Sequence, residues 1–216
     1  MLIVFENPLL KTIITEIRDK NADKRKMREN LRLCGFLSTY EILSREMEFE
    51  VKKVQTPLSY AKGITPVSKI LQVVVLRAAI PFAEGGTNLI DKLGIDCSIG
   101  FVDAKRIQKE GNLNFDVEIT SVKIPDWKNR IVIIYDPMLA TGSTLIDVIK
   151  RIKGKKIIIN SIISAPYGVE KIEKEFKDVS IYTVELDKEG KYNGLNSKGY
   201  IVPGLGDCGD RALGEF

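Results

Sequence analysis

Five apolar runs of strand length punctuate this chain: Val73–Leu76, residues 97–102, residues 131–135, Ile157–Ile163 and Ile181–Val184. Helical spacing is predicted between most of them, at 84–93, 143–153 and 168–177, where Val169, Ile172 and Phe176 fall on one face. Strands that alternate apolar and polar residues have one wet face. Runs that stay apolar are covered on both faces, as in parallel sheets with helices above and below. The pattern therefore predicts an α/β fold built on a doubly wound, mostly parallel sheet. A length of 216 residues suits one elaborated domain, 1–216, and no internal repeat or second domain stands out.

The flanking segments are also readable. Asn7-Pro8 marks a helix start, with Asn as N-cap and Pro in the first helical position, and Leu10, Ile13, Ile14 and Ile17 follow at helical spacing. A second N-terminal helix is predicted from about Asp23 to Ser44, with Met27, Leu31, Cys34 and Tyr40 near its apolar face. Residues 48–56 read as a strand. Residues 105–122, polar and carrying Gly111 and Asn112, read as a projecting β-hairpin. The tail, 188–214, holds seven glycines and one proline, too glycine-rich for a packed helix, and reads as an ordered ligand loop or a frayed end.

Composition excludes several chemistries. There is no histidine, which removes Ser-His-Asp hydrolases, Cys-His proteases and HExxH zinc enzymes together. Cys34, Cys97 and Cys208 are far apart, odd in number and lack CxxC spacing, so neither a zinc site nor a disulfide framework is expected, and a reducing cytoplasm is the simple reading. No apolar run is long enough for a membrane span, and no signal peptide is expected at the N-terminus. The net charge of +4 does not require nucleic acid, but it suits an anionic small molecule.

Residues 131–144 carry the strongest functional signal. The run Ile131–Ile134 delivers Asp136 to a strand's carboxyl end, where open α/β sheets bind ligands. Small and hydroxylated residues follow, and a helix pattern starts at once. Such a turn lets backbone N–H groups close around an anion, while the carboxylate suits sugar hydroxyls, so the pair fits a phosphorylated ribose. Taken alone, the same residues also suit an ordinary strand-to-helix turn capped by Thr or Ser.

Asp136-Pro137-Met138-Leu139-Ala140-Thr141-Gly142-Ser143-Thr144 closely resembles the phosphoribosyl-diphosphate loop of uracil phosphoribosyltransferases, including its single Asp followed by Pro. Three more segments agree in order. Leu37-Ser38-Thr39-Tyr40-Glu41 resembles part of an N-terminal helix, and Leu76-Arg77-Ala78-Ala79 resembles the pyrophosphate loop. Gly199-Tyr200-Ile201-Val202-Pro203-Gly204-Leu205-Gly206-Asp207-Cys208-Gly209-Asp210 resembles the uracil loop. The resemblance implies a type I phosphoribosyltransferase fold, and conversion of uracil and 5-phospho-α-D-ribose 1-diphosphate to UMP and diphosphate. It further implies Mg²⁺ carried by the substrate and a homodimer or homotetramer.

The resemblance also implies roles. Asp136 would accept from the ribose hydroxyls, and Thr141, Gly142, Ser143 and Thr144 would hold the 5′-phosphate, where a methyl group on Gly142 should crowd it. Arg77 and Ala78 would contact pyrophosphate across a cis Arg77–Ala78 bond. Arg106, or Lys105, would supply a second cation, although the family's arginine position is occupied here by Asp103. Ile201, Gly206 and Cys208 would bind the pyrimidine edge through their backbones, and Asp207 would face the pyrophosphate and its magnesium. Some archaeal members bind GTP as an effector in the helix matching Glu29-Asn30-Leu31-Arg32-Leu33. Arg25, Arg28 and Arg32 there share one face, which also suits a solvated surface. Two other readings stay open: a phosphoribosyltransferase for hypoxanthine, guanine or orotate, and a non-catalytic nucleotide sensor that binds RNA or DNA.

Overall fold

The computed structural model describes residues 1–107 and 116–215. Its main sheet runs in the order β1 (Leu2–Val4), β10 (Val179–Leu186), β9 (Lys156–Ser164), β7 (Arg130–Tyr135), β4 (Lys69–Leu76), β5 (Cys97–Ile107), β6 (Asp116–Lys123). A short strand, β8 (Met138–Leu139), adds to β9. Pairing is parallel except between β5 and β6. The five apolar runs lie in β4, β5, β7, β9 and β10, as their patterning requires.

Two cores sandwich this sheet. Along β7, Ile131, Ile133 and Tyr135 face one layer, while Val132 and Ile134 face the other, the period-two alternation of a strand buried on both sides. The first layer holds α1 (Pro8–Arg18), α2 (Lys24–Glu46), α3 (Ala79–Lys92) and α6 (Cys208–Leu213). The second holds α4 (Ser143–Arg151) and α5 (Pro166–Glu175). Among the described residues, no helix is long and apolar enough to cross a membrane.

The caps follow the sequence logic. Asn7 accepts from the Leu9 N–H at 2.9 Å and Asp23 from the Lys26 N–H at 2.7 Å. In α2 the buried stripe passes through Cys34, Ser38 and Ile42, one turn apart, so Tyr40 lies beside it and is exposed, not on the apolar face.

Three other expectations need correction. The strand at 48–56 is β2 (Phe49–Gln55), but it pairs with an unforeseen β3 (Tyr60–Pro66) in a separate two-stranded hairpin. The hairpin expected at 105–122 is formed: β5 and β6 pair antiparallel, and their ladder from Ala104–Ile119 to Ile107–Asp116 runs past the last β4–β5 pair, Leu76–Asp103, while Gly111 and Asn112 lie outside the described residues. Helix α3 starts at Ala79 rather than 84, because Ala78 offers no side-chain cap to announce it, and Pro81 sits in the first turn, where a missing N–H costs no helical bond. The tail does contain a helix, α6. Within it the only glycine is Gly209, while Gly206 and Gly214 flank it at positive φ and Asp207 caps it.

Candidate active site

The chain lays down β4, proceeds to β5 on one side, and later returns to place β7 on the other. The carboxyl ends of β4 and β7 are thus a topological switch point, where diverging connections leave a crevice. A cleft of about 270 Å³ opens there. Leu76, Arg77 and Ala78 line it from β4, Asp136, Met138, Ala140 and Thr144 from beyond β7, and Ile201, Gly206, Asp207 and Cys208 from the tail. Three segments distant in sequence, whose motifs point to one ligand, meet at one place.

The loop after β7 is held from below. The Asp136 N–H donates to the Asn160 carbonyl at 3.2 Å, and the Met138 N–H donates to Asp136 Oδ1 at 3.1 Å. Leu139 accepts from the Ala165 N–H at 2.8 Å, pinning the loop along β9. Gly142 then turns with φ of +75° and leaves the first turn of α4 without a side-chain cap. The adjoining hollow is walled by Asp136, Leu139, Ala140, Gly142 and Thr144. Uncapped N–H groups at a helix start are donors for an anion.

Gly142 is also required by the packing behind it. A Cβ there would meet the Gly168 carbonyl oxygen at 3.0 Å and Ile172 at 3.4 Å, on the α5 side of the loop. The methyl group would press the loop away from α5. Pro137, Thr141 and Ser143 do not line the cleft: Pro137 accepts from the Ile162 and Ile163 N–H groups, and Ser143 Oγ accepts from Lys171 Nζ at 3.1 Å.

Arg77 stands 3.5 Å from Asp210 of α6, so the end of β4 and the tail share an ion pair across the cleft. The non-proline cis bond is Leu76–Arg77, one bond earlier than expected, where β4 ends and the backbone leaves the sheet. Arg77–Ala78 is not among the cis bonds. Arg106 and Lys105 occupy β5 opposite Val117 and Glu118, and their side chains lie outside what is described.

Asp207 accepts from the Asp210 N–H at 2.9 Å, so the α6 cap is also a cleft wall and its carboxylate is oriented. Cys208 is buried, and burial pushes its thiol up to about 12, aided by the Asp136 and Asp207 charges. It is a neutral thiol near neutral pH, not a nucleophile. All three cysteines are free, and burial raises Cys97 to about 11 and Cys34 as well.

The segment Leu37–Glu41 does not reach the cleft. Ser38 Oγ accepts from Asn160 Nδ2 at 2.9 Å, and Thr39 Oγ1 lies 2.7 Å from the Tyr135 hydroxyl. These buried bonds fix the strands just before Asp136 and just beneath its loop. Asp210 and Tyr200 also line the cleft, although their motif alone gave them no role. The Asp207–Asp210 spacing, that of a cap and its third helical residue, is the available signal for the first. The basic face of α2 is largely consumed internally: Arg28 donates to the Ala212 carbonyl at 2.8 Å, and Arg32 pairs with Glu84 at 2.7 Å.

Residues 4–214 match the family model for uracil phosphoribosyltransferase. The chain belongs to the uracil phosphoribosyltransferase family. Relatives include the uracil phosphoribosyltransferase of Pyrococcus furiosus, 39% identical over 97% of this chain and 88% of that one. That of Metallosphaera sedula is 40% identical over 98% of each. A solved structure of a protein from Aquifex aeolicus superposes with a TM-score of 0.87, at 32% identity, over 99% of this chain and 98% of that one. Family membership makes the chain a phosphoribosyltransferase, an enzyme of the glycosyltransferase class.

Proposed function

We propose that this chain joins uracil to 5-phospho-α-D-ribose 1-diphosphate, forming UMP and releasing diphosphate. The observation that carries the reading is the convergence, at one switch-point cleft, of Asp136, the uncapped start of α4 and the glycine-rich tail. The test is diphosphate release with Mg²⁺ and phosphoribosyl diphosphate. Uracil should support turnover, cytosine no more than a trace of it, and hypoxanthine, guanine and orotate none. Turnover with a purine or orotate, and none with uracil, would overturn it.

In this reading the 5′-phosphate sits against the Gly142–Thr144 N–H groups and the Thr144 hydroxyl, and Asp136 accepts from the ribose hydroxyls. Arg77 draws the diphosphate. The C1′–oxygen bond breaks ahead of C1′–N1 bond formation, the ribosyl group passes through an oxocarbenium-like state, as in glycoside chemistry, and uracil's N1 proton is released to solvent or to the departing diphosphate as the new bond forms. Diphosphate leaves with the bonding electron pair, neutralised by cations rather than protonated by an imidazole, since the chain has no histidine. Backbone groups of Ile201, Gly206 and Cys208 orient uracil and select its acceptor-donor-acceptor edge, because a wrong base would leave them buried and unpaired.

Among the described residues there is no group of three or more side chains that would cage a metal. The cleft instead offers the carboxylates of Asp136, Asp207 and Asp210, hard oxygen donors of the kind that meet a substrate-borne Mg²⁺ through one ligand or through water. Bound there, the ion would supply charge neutralisation at the diphosphate, and Asp207 would face it.

The enzyme works in the cytoplasm as a homodimer or homotetramer. Supporting self-association, the β2–β3 hairpin exposes Val51, Leu58, Tyr60 and Ile64, and an isolated two-stranded hairpin is marginal in water. GTP, if it regulates the enzyme from α2, has Glu29, Arg32 and Leu33 available to it, because Asn30 and Leu31 are buried. A titration at subsaturating substrate should show turnover changing with GTP, and a flat response removes the effector.

A further inference from the structure

The tail loop is gripped from behind the cleft by groups that do not touch it. Arg18, at the end of α1, forms a two-pronged pair with Asp187: Nη1 to Oδ2 at 2.8 Å and Nη2 to Oδ1 at 2.6 Å. Asp187 is only 5% exposed. The pair clasps Gly204 on both sides of its peptide, since the Gly204 N–H donates to Asp187 Oδ2 at 2.8 Å and its carbonyl accepts from Arg18 Nη1 at 2.7 Å. Arg211 of α6 secures the next residue. Its Nη1 donates to the Leu205 carbonyl at 2.7 Å and the Ile17 carbonyl at 2.8 Å, and its Nη2 donates to the Asp19 carbonyl at 2.6 Å. Gly204 and Leu205 lie between Ile201 and Gly206, and both are tied to the end of α1, which Leu10, Ile13, Ile14 and Ile17 anchor in the core.

We infer that Arg18, Asp187 and Arg211 are positioning residues that set base selectivity, by holding the backbone between Ile201 and Gly206 in one register. The inference rests on the reading of that loop as the base site. Backbone groups discriminate only when they cannot move, because a loop free to shift can re-pair with the wrong edge. A planar guanidinium fork fixes an anion's angle as well as its distance, which suits it to this task. The carboxylate of Asp187 tolerates burial because Arg18 and the Gly204 N–H satisfy it.

The test compares Asp187→Asn and Arg211→Gln with the native enzyme. The KM for uracil and the KM for phosphoribosyl diphosphate are measured separately, together with the rate ratio of uracil to cytosine. Loop misplacement should raise the uracil KM about tenfold or more. The diphosphate KM should hold, and the uracil-to-cytosine ratio should fall. Uracil and diphosphate KM values that stay native, or that rise together, would overturn the inference. Arg211 is half-buried and makes its bonds near the surface, so Arg211→Gln decides the matter if Asp187→Asn does not fold. Gly206→Ala, on the cleft wall itself, separates the two readings. If it too leaves the uracil KM native, the base does not sit at this loop and both readings fall. If it alone raises that KM, the base site stands and the clasp does not set selectivity.

Discussion

Asp136→Ala should lower kcat/KM for phosphoribosyl diphosphate by about 10²- to 10⁴-fold, with the thermal unfolding midpoint close to native. The size follows from two hydrogen bonds to a charged group, each worth about 1.5–3 kcal/mol, and a tenfold rate change per roughly 1.4 kcal/mol. Asp136→Asn is the informative companion. It keeps an acceptor for the Met138 N–H, the bond that shapes the loop, but loses the charge. It should therefore fall between Asp136→Ala and the native enzyme. The two variants separate loop shape from ribose binding: if both lose activity equally, the negative charge of this carboxylate outweighs its effect on loop shape. Steady-state kinetics with varied diphosphate at saturating uracil checks this, and an Asp136→Ala enzyme within threefold of native would show that the ribose is held elsewhere.

Asp136 was legible because it ends a run that is apolar at every position, and such runs are rare outside strands buried on both faces. The same logic located β4, and β9 and β10 through runs broken only by Asn160, Ser161 and Thr183. It does not reach β2, which was found instead from Phe49 and Val51 alternating with charge, and it failed for β3, whose residues are exposed along most of their length, so burial imposes no period on them. It failed for the start of α3, which no capping side chain marks. The cleft's outline was read from three local motifs, but its support could not be. Arg18 and Asp187 are 169 residues apart, and Arg28 and Ala212 are 184 apart. Nothing local in either arginine distinguishes a clasp from a solvated charge. Gly142 shows the same limit: its residue type was foreseen, but which side of the loop its hydrogen faces depends on α5 packing behind it.

The largest stability effect is expected at Gly85, where sequence-level propensity gives the wrong sign. Gly85 lies inside α3, and exchanging a helical glycine for alanine ordinarily stabilises by about 0.8–1 kcal/mol. Here α2 and α3 cross with their backbones in contact. A Cβ on Gly85 would overlap the Arg32 carbonyl oxygen and come within 2.8 Å of the Phe36 nitrogen, and one on Gly35 would overlap the Phe82 carbonyl. Neither obstacle is a flexible side chain, so relief requires moving a helix away from a core that includes Leu31, Cys34, Phe82 and Ala83. Gly85→Ala should cost about 3 kcal/mol or more, the upper end of overpacking losses. For a chain of this length that lowers the Tm by roughly 6–12 °C. Gly94→Ala is the control, because no atom lies within 4 Å of its Cβ position and its φ of +65° is the sole obstacle. A left-handed alanine there should cost about 1–2 kcal/mol. Calorimetry of both variants decides the point: a Gly85→Ala protein as stable as native would mean that α2 and α3 can separate without loss, and the close crossing would then not be what fixes their packing.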